Sequence, residues 1–268
     1  MTELIVDGEM SDFHLRWSKL SAPQRPTRQV AQLMQSLLAE RPGPALQLGV
    51  TPEIARASAH GVAVDYNPEM IRIAWPGDID THRAVLGNWL QLELPEASFT
   101  TAFGDGSLTM LHYDEEYPLL FENLERVFRP GGRLVLRCFA TPENNETLEM
   151  VAISALAGEN RSFGEFKLRL NMAVVRDAGM VSVTSGRIHE AFQQLFPDRE
   201  ATARQTGWTT EDFDHFDAYK DAPSLHSYPT RAQIAAALPE GCSHRFIETD
   251  GYPLAERCPI LVVDFPKK

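Results

Sequence analysis

Cysteines, basic runs and long apolar segments are scarce in this 268-residue chain, and each scarcity removes a class of protein. The three cysteines, Cys138, Cys242 and Cys258, are odd in number, far apart and without a CxxC pairing. That excludes a disulfide scaffold and a thiolate metal clip, and predicts idle thiols in a reducing compartment. No apolar run approaches the roughly 20 residues that span a bilayer, so the membrane is not expected as a partner. The opening "MTELIVDGEMSDFHLRW" lacks a basic segment followed by an apolar stretch, so no targeting leader is expected and the cytoplasm is the predicted location. Basic residues are outnumbered, 25 Lys+Arg against 37 Asp+Glu for a formal charge of −12. Without a basic patch to neutralise phosphates, nucleic acid is also excluded as a partner.

What is present is a core. The hydrophobic residues make up 43% of the chain, enough for one substantial domain with an insertion. Short apolar runs alternate with helix-period stretches: "PALQLGV" (44–50), "GVAVDY" (61–66), "RAVLGNW" (83–89), "FTTAFGDG" (99–106) and "GRLVLRCFA" (132–140). The segment "TPEIARASA" reads as a short helix between the first two runs, and "YPLLFENLERVF" as an amphipathic helix before the fifth, with "RPGG" ending it. Strands separated by helices predict a parallel sheet with right-handed crossovers. The last two strands, "HRFIETD" and "CPILVVDF", are joined too closely for a crossover helix and are expected to be antiparallel neighbours. Helical periodicity dominates residues 143–229, read as a helical insertion forming part of an acceptor-binding region, with residues 1–142 and 230–268 forming the cofactor-binding core.

The stretch "PALQLGVTPEIARASAHGVAVDYNPEM" places a strand, a glycine turn, a helix, a second strand and an acidic residue in the order of a nucleotide site. Gly49 opens the turn and Asp65, at the end of the second strand, is suited to accept ribose hydroxyls. Only one glycine of the usual three remains, with Thr51 and Glu53 at the other two places. A phosphate beside Glu53 would be repelled, which favours a nucleoside ligand without phosphate over a pyrophosphate such as NAD.

With these motifs in order, the chain resembles the class I S-adenosylmethionine-dependent methyltransferases. The acidic-x-Gly-x-Gly-x-Gly motif of that family maps onto Gln47, Gly49, Thr51 and Glu53. "AVDYNPEMI", "GNWLQLELPEASF", "FGDGSLTML", "LERVFRPGGRLVLR" and "YPLAERCPILVVDF" resemble its later segments. "LGVTPE" with "WPG", "FGEFKLRL" and "AERCP" resembles a bacterial branch with a modified glycine-rich loop. The resemblance implies a Rossmann-like α/β fold: a seven-stranded, mostly parallel sheet with helices on both faces, an antiparallel last strand and the helical insertion. It implies S-adenosylmethionine as cofactor, held by Gln47, Gly49, Val50 and Thr51, by Asp65, Tyr66 and Met70, by Asn88 and Trp89, and by Asp105 and Gly106.

Methyl transfer is an in-line displacement that asks a protein mainly to align two reactants and exclude water. His112 and Tyr113, after the fourth strand, are the expected catalytic pair, against the alternative that His112 only caps a helix. Asp65 has the alternative of an ordinary strand-end aspartate, Asn88 that of a turn cap, and Trp89 that of a core residue. Arg25 or Arg28 is a candidate partner for the methionine carboxylate, or else a solvated helix start. Trp17, Trp75, Phe163, Phe166 and Trp208 are candidates to line the acceptor pocket, or else core. Asp212, Asp214, His215 and Asp217 lack metal-ligand spacing and read as an acidic helix face, so no metal is expected. The expected function is methyl transfer to a neutral or cationic small-molecule acceptor. A non-catalytic cofactor-binding sensor or scaffold is the alternative, and a nicotinamide oxidoreductase is disfavoured by Glu53 and the closing strand pair.

Overall fold

The protein was analysed as a computed structural model, which describes residues 20–267. Seven strands form one sheet: β1 (Pro44–Leu48), β2 (His60–Asp65), β3 (His82–Leu86), β4 (Phe99–Asp105), β5 (Phe128–Arg137), β8 (Ser243–Ile247) and β9 (Ile260–Asp264). Their order across the sheet is β3-β2-β1-β4-β5-β9-β8. The first five are parallel, and β9 runs antiparallel to both of its neighbours. The seven-stranded Rossmann-like architecture expected from the sequence is the one observed.

Strand alternation divides the core between the two faces of the sheet. Leu46, Leu134, Leu136, Leu261 and Val263 point to one face, and Ala45, Val135, Ile260 and Val262 to the other. Helix α1 (Arg28–Ala39) covers the second face with Val30, Met34, Leu37 and Leu38, an i, i+4, i+7, i+8 stripe. Its N-cap Thr27 accepts from the Val30 amide. Of the next two helices, α2 (Pro68–Ala74) follows β2, and α3 (Tyr113–Val127) covers the first face with Tyr117, Leu120, Phe121, Leu124 and Val127. Among the described residues, no helix is long and apolar enough to cross a membrane.

Two crossovers differ from the sequence expectation. "TPEIARASA" forms only a 3-10 turn at Pro52–Ile54, and its N-cap Thr51 makes no side-chain capping bond. Ile54 and Ala57 pack under α1 while Ala55 packs against Val50 and Met70, so the turn is wedged between two apolar clusters and has no solvated helical face. The "RPGG" segment is drawn into β5, where Phe128 pairs with Phe99 and the register then shifts before Arg133 pairs with Thr101.

Residues 148–217 hold five helices, α4 (Leu148–Leu156), α5 (Phe163–Ala178), α6 (Ser185–Leu195), α7 (Arg199–Thr206) and α8 (Thr210–Asp217). The insertion is not purely helical: β6 (Ser182–Thr184) and β7 (Leu225–Ser227) form a small antiparallel sheet. A last helix, α9 (Arg231–Ala236), returns the chain to the main sheet. Aromatic rings make the core of this region, with Phe192 stacked on Phe216 at 4.2 Å and Phe166 tilted against Trp208 at 4.3 Å.

Glu146 ties the helical region to the β8–β9 connection. It accepts from Arg169 Nε at 3.1 Å and from Arg257 Nη2 at 2.7 Å, all three side chains being largely buried. Burial works against its charge, but the hydrogen bonds from the two arginines hold its pKa below the ordinary carboxylate value. The stabilisation is therefore present at neutral pH and lost as pH falls through that lowered pKa. Glu146→Ala, which leaves two buried guanidinium groups uncompensated, should cost about 3–5 kcal/mol in urea denaturation at pH 7. The cost should shrink when the comparison is repeated at acidic pH.

Candidate functional site

Ligands of open α/β sheets collect at the carboxyl ends of the strands. Here those ends open into a cleft of about 1040 Å³, mouth included, between the sheet and the helical region. Gly49, Val50 and Thr51 follow β1, Asp65, Tyr66, Asn67 and Met70 follow or end β2, Trp89 follows β3, and Asp105, Gly106 and Ser107 end β4. Lys167, Leu168, Asn171, Tyr219, His226 and Tyr228 line the opposite wall.

The glycine turn owes its shape to one residue. Gly49 has φ +92°, and its amide donates to the Val64 carbonyl at 2.8 Å. A side chain there would sit in strained backbone and meet the Trp89 ring at 3.6 Å and Asp65 Oδ2 at 3.8 Å. Thr51 and Glu53, where further glycines were missing, are accommodated differently. Gln47 donates from Nε2 to the Thr51 carbonyl at 3.2 Å, and Glu53 accepts from Arg25 Nε at 2.6 Å.

Asp65 is buried and its Oδ1 accepts from the Asn67 amide at 2.9 Å. Burial pushes its carboxyl pKa up to about 6, against the lowering effect of backbone N–H groups at Asn67 and Val50. Asn67 itself caps α2, accepting from the Glu69 and Met70 amides at 2.9 and 3.2 Å. Trp89 holds the wall by donating from Nε1 to the Val64 carbonyl at 2.7 Å. At the end of β4, Asp105 is paired with Arg137, one of whose contacts is Nη2 to Oδ2 at 3.1 Å. Both side chains are buried, and Arg137 Nη1 also donates to the Pro23 carbonyl at 2.8 Å. Burial opposes the Arg137 charge, but the Asp105 carboxylate outweighs it and keeps the guanidinium protonated.

Several residues singled out from sequence stand elsewhere. Gln47 lies buried in β1 and braces the turn from behind. Asn88 caps a 3-10 turn, accepting from the Leu90 amide at 2.9 Å. Neither lines the cleft. His112 and Tyr113 are also outside it: His112 is the N-cap residue of α3, and the Tyr113 hydroxyl donates to the Gln233 carbonyl at 2.8 Å, fastening α9 to α3. Arg25 is engaged with Glu53, and Arg28 is exposed at the start of α1. Trp75 packs under Arg56 and donates to Asp78 at 2.8 Å, while Phe163, Phe166 and Trp208 pack on one another. Trp17 lies outside the described residues. Asp212 closes the capping box of α8 and Asp217 pairs with Arg199.

The sequence reading missed Asn67, Ser107, Phe139, Lys167, Asn171, His226 and Tyr228. Asn67 precedes a proline and a helix in "YNPEM", a capping signal that could have found it. The four from the helical region lie far along the chain from the glycine turn, and no local pattern marks them.

A family model described as "Methyltransferase domain" matches residues 47–136, from the middle of β1 to the end of β5. No curated protein matches the chain. A solved structure from Rhodobacter sphaeroides, provisionally described as a Zn-dependent alcohol dehydrogenase, is similar at 9% identity and TM-score 0.61 over 98% of this chain and 99% of that one. A structure described as the DhpI-SAM-HEP complex is similar at 13% identity and TM-score 0.55, covering 99% and 100% of the two chains. One from Nostoc punctiforme, provisionally described as an O-methyltransferase, gives 11% identity and TM-score 0.55 over 98% of this chain and 64% of that one. At these identities the likeness carries the fold alone.

The raised pKa of Asp65 makes a testable cost. The folded protein holds this proton to a higher pH than the unfolded chain, so the contribution of this group falls as pH rises from about 4 to about 6 and stays low above that. Asp65→Asn keeps the shape without the charge and should be more stable than the parent at pH 7 by about 2–3 kcal/mol. The gap should close toward pH 4, as thermal melts at the two pH values would show.

Proposed function

We propose that this chain is a class I S-adenosylmethionine-dependent methyltransferase that transfers a methyl group to a small-molecule acceptor held between the sheet and the helical region, a reading supported by the match of residues 47–136 to a methyltransferase domain. The observation that carries the reading is the buried Asp65 carboxylate beside the positive-φ Gly49, at the carboxyl edge of a sheet whose first five strands lie almost wholly within the family match.

The residues fit the cofactor. Asp65 offers a carboxylate for ribose hydroxyls, and Gly49 leaves the backbone open where a side chain would reach Asp65 and Trp89. Val50, Met70 and Trp89 supply buried apolar surface for a purine. S-adenosylmethionine, when bound, supplies an electrophilic methyl carbon on a sulfonium. The work left to the protein is orientation and exclusion of water. Ser107 stays buried by donating to the Leu48 carbonyl at 3.1 Å, which locks the end of β4 against the end of β1. A residue larger than glycine at Gly106, where φ is +65°, would press on the Phe139 ring at 3.1 Å. The helical region closes the cleft opposite these residues, where an acceptor would lie.

Titration of the purified protein with S-adenosylhomocysteine should give saturable binding. Asp65→Ala should weaken it about 10- to 100-fold, the loss expected for hydrogen bonds to a charged group. Absence of binding to the parent protein would overturn the reading.

A further inference from the structure

The two ends of the cleft differ in charge. Asp65 stands at the sheet end, where the Asp105 charge is matched by Arg137, whereas the wall contributed by α5 carries Lys167 and Asn171. Among the described residues lining the cleft, Lys167 is the one lysine or arginine. Its side chain is buried, and Nζ sits 4.7 Å over the Tyr219 ring, a face that favours a cation. Asn171 is four residues on, at 3% exposure. Its Nδ2 donates to the Tyr228 hydroxyl at 2.7 Å, and its carbonyl Oδ1 is without a hydrogen-bond partner. A buried acceptor left unpaired costs about 1–3 kcal/mol, a cost that a ligand donor would remove. The cleft they share is also lined by the apolar or aromatic Leu168, Phe139 and Met110, beside the polar Thr109 and His226.

Residues four apart share one face of a helix, so Lys167 and Asn171 line the same cleft and a single ligand with two polar ends can meet both. A single ammonium suits a carboxylate, whereas a phosphate draws several cationic or backbone donors. Resting on the methyl-transfer reading above, we propose that the acceptor is a small aromatic hydroxy acid. Its carboxylate meets the Lys167 ammonium, and its hydroxyl donates to Asn171 Oδ1. This differs from the neutral or cationic acceptor expected from the aromatic and acidic content of residues 143–229, because the composition of a segment does not set the charge of the face it turns to the cleft.

The test uses the full chain saturated with S-adenosylhomocysteine and three probes: 4-hydroxybenzoate, its methyl ester, and benzoate. The acid should bind at least about tenfold more tightly than the ester or benzoate, as expected when a site built for a polar group meets an analogue lacking it. Lys167→Met should erase the difference between acid and ester, and Asn171→Leu that between 4-hydroxybenzoate and benzoate. The affinity for S-adenosylhomocysteine, unchanged in both variants, reports that each is folded. Equal binding of acid and ester by the parent protein, binding of none of the three, or discrimination that survives the substitutions would overturn the proposal while leaving the methyl-transfer reading intact. A parent protein that does not bind S-adenosylhomocysteine would instead sink that reading, and this inference with it.

Discussion

The ion pair between Asp105 and Arg137 is the constraint on which the rest of the site depends. It joins the carboxyl ends of adjacent parallel strands β4 and β5, and Arg137 has no exposed side-chain surface. Taking two charges out of water is expensive, and the pair is tolerable because the two charges offset one another and Arg137 has a further acceptor. Arg137 donates to the Pro23 carbonyl and lies 5.2 Å over the Phe139 ring. One buried cation thus fixes three things at once: the end of β4, the segment ahead of α1, and the first aromatic residue beyond β5. All three line or border the cleft, so its floor is set by electrostatics as much as by packing.

A second ionic knot holds the opposite wall. Arg169 belongs to α5, the helix that presents Lys167 and Asn171, and it reaches Glu146, which also receives Arg257 from the β8–β9 connection. Because Arg169 lies between Lys167 and Asn171 in sequence, it points to another side of the helix and can anchor α5 without entering the cleft. The aromatic cluster of Phe166, Phe192, Phe216 and Trp208 then fills the far side. Floor and wall are therefore pinned by different residues, and the positions of Lys167 and Asn171 do not depend on the glycine turn.

The parts of the fold legible in the sequence were those written in local periodicity. The alternation of Leu134, Val135 and Leu136, and of Leu261, Val262 and Val263, marks strands buried on both faces, and the short link before β9 marks an antiparallel neighbour. "TPEIARASA" misled because its apolar residues suit a helix face, yet Ile54 and Ala55 face different clusters and leave room for only one tight turn. Asp65, Trp89 and Asp105 were legible as site candidates because each stands at or just past a strand end. His112 and Tyr113 also stand near such an end, but the 3-10 turn at Ser107–Met110 carries the chain away first. Lys167, Asn171 and Tyr228 were illegible for the opposite reason: the helix of the first two is recognisable but only tertiary packing turns it toward the glycine turn, and Tyr228 follows a three-residue strand hidden in a region read as helical.

The depleted glycine motif is then less of an erosion than its sequence suggests. Three glycines are needed where the backbone must pass close to a pyrophosphate and where helix and strand must pack without side chains between them. Only a 3-10 turn lies between β1 and β2, so the packing requirement disappears with the helix. The negative charge that Glu53 would otherwise bring is met by Arg25. Thr51 is held by Gln47 from within the strand. What remains is the one position where the chain must adopt a positive φ beside Asp65 and Trp89, and there the glycine is kept. The retained residue is the one that the geometry cannot replace, and the lost ones are those whose reason for being glycine has gone.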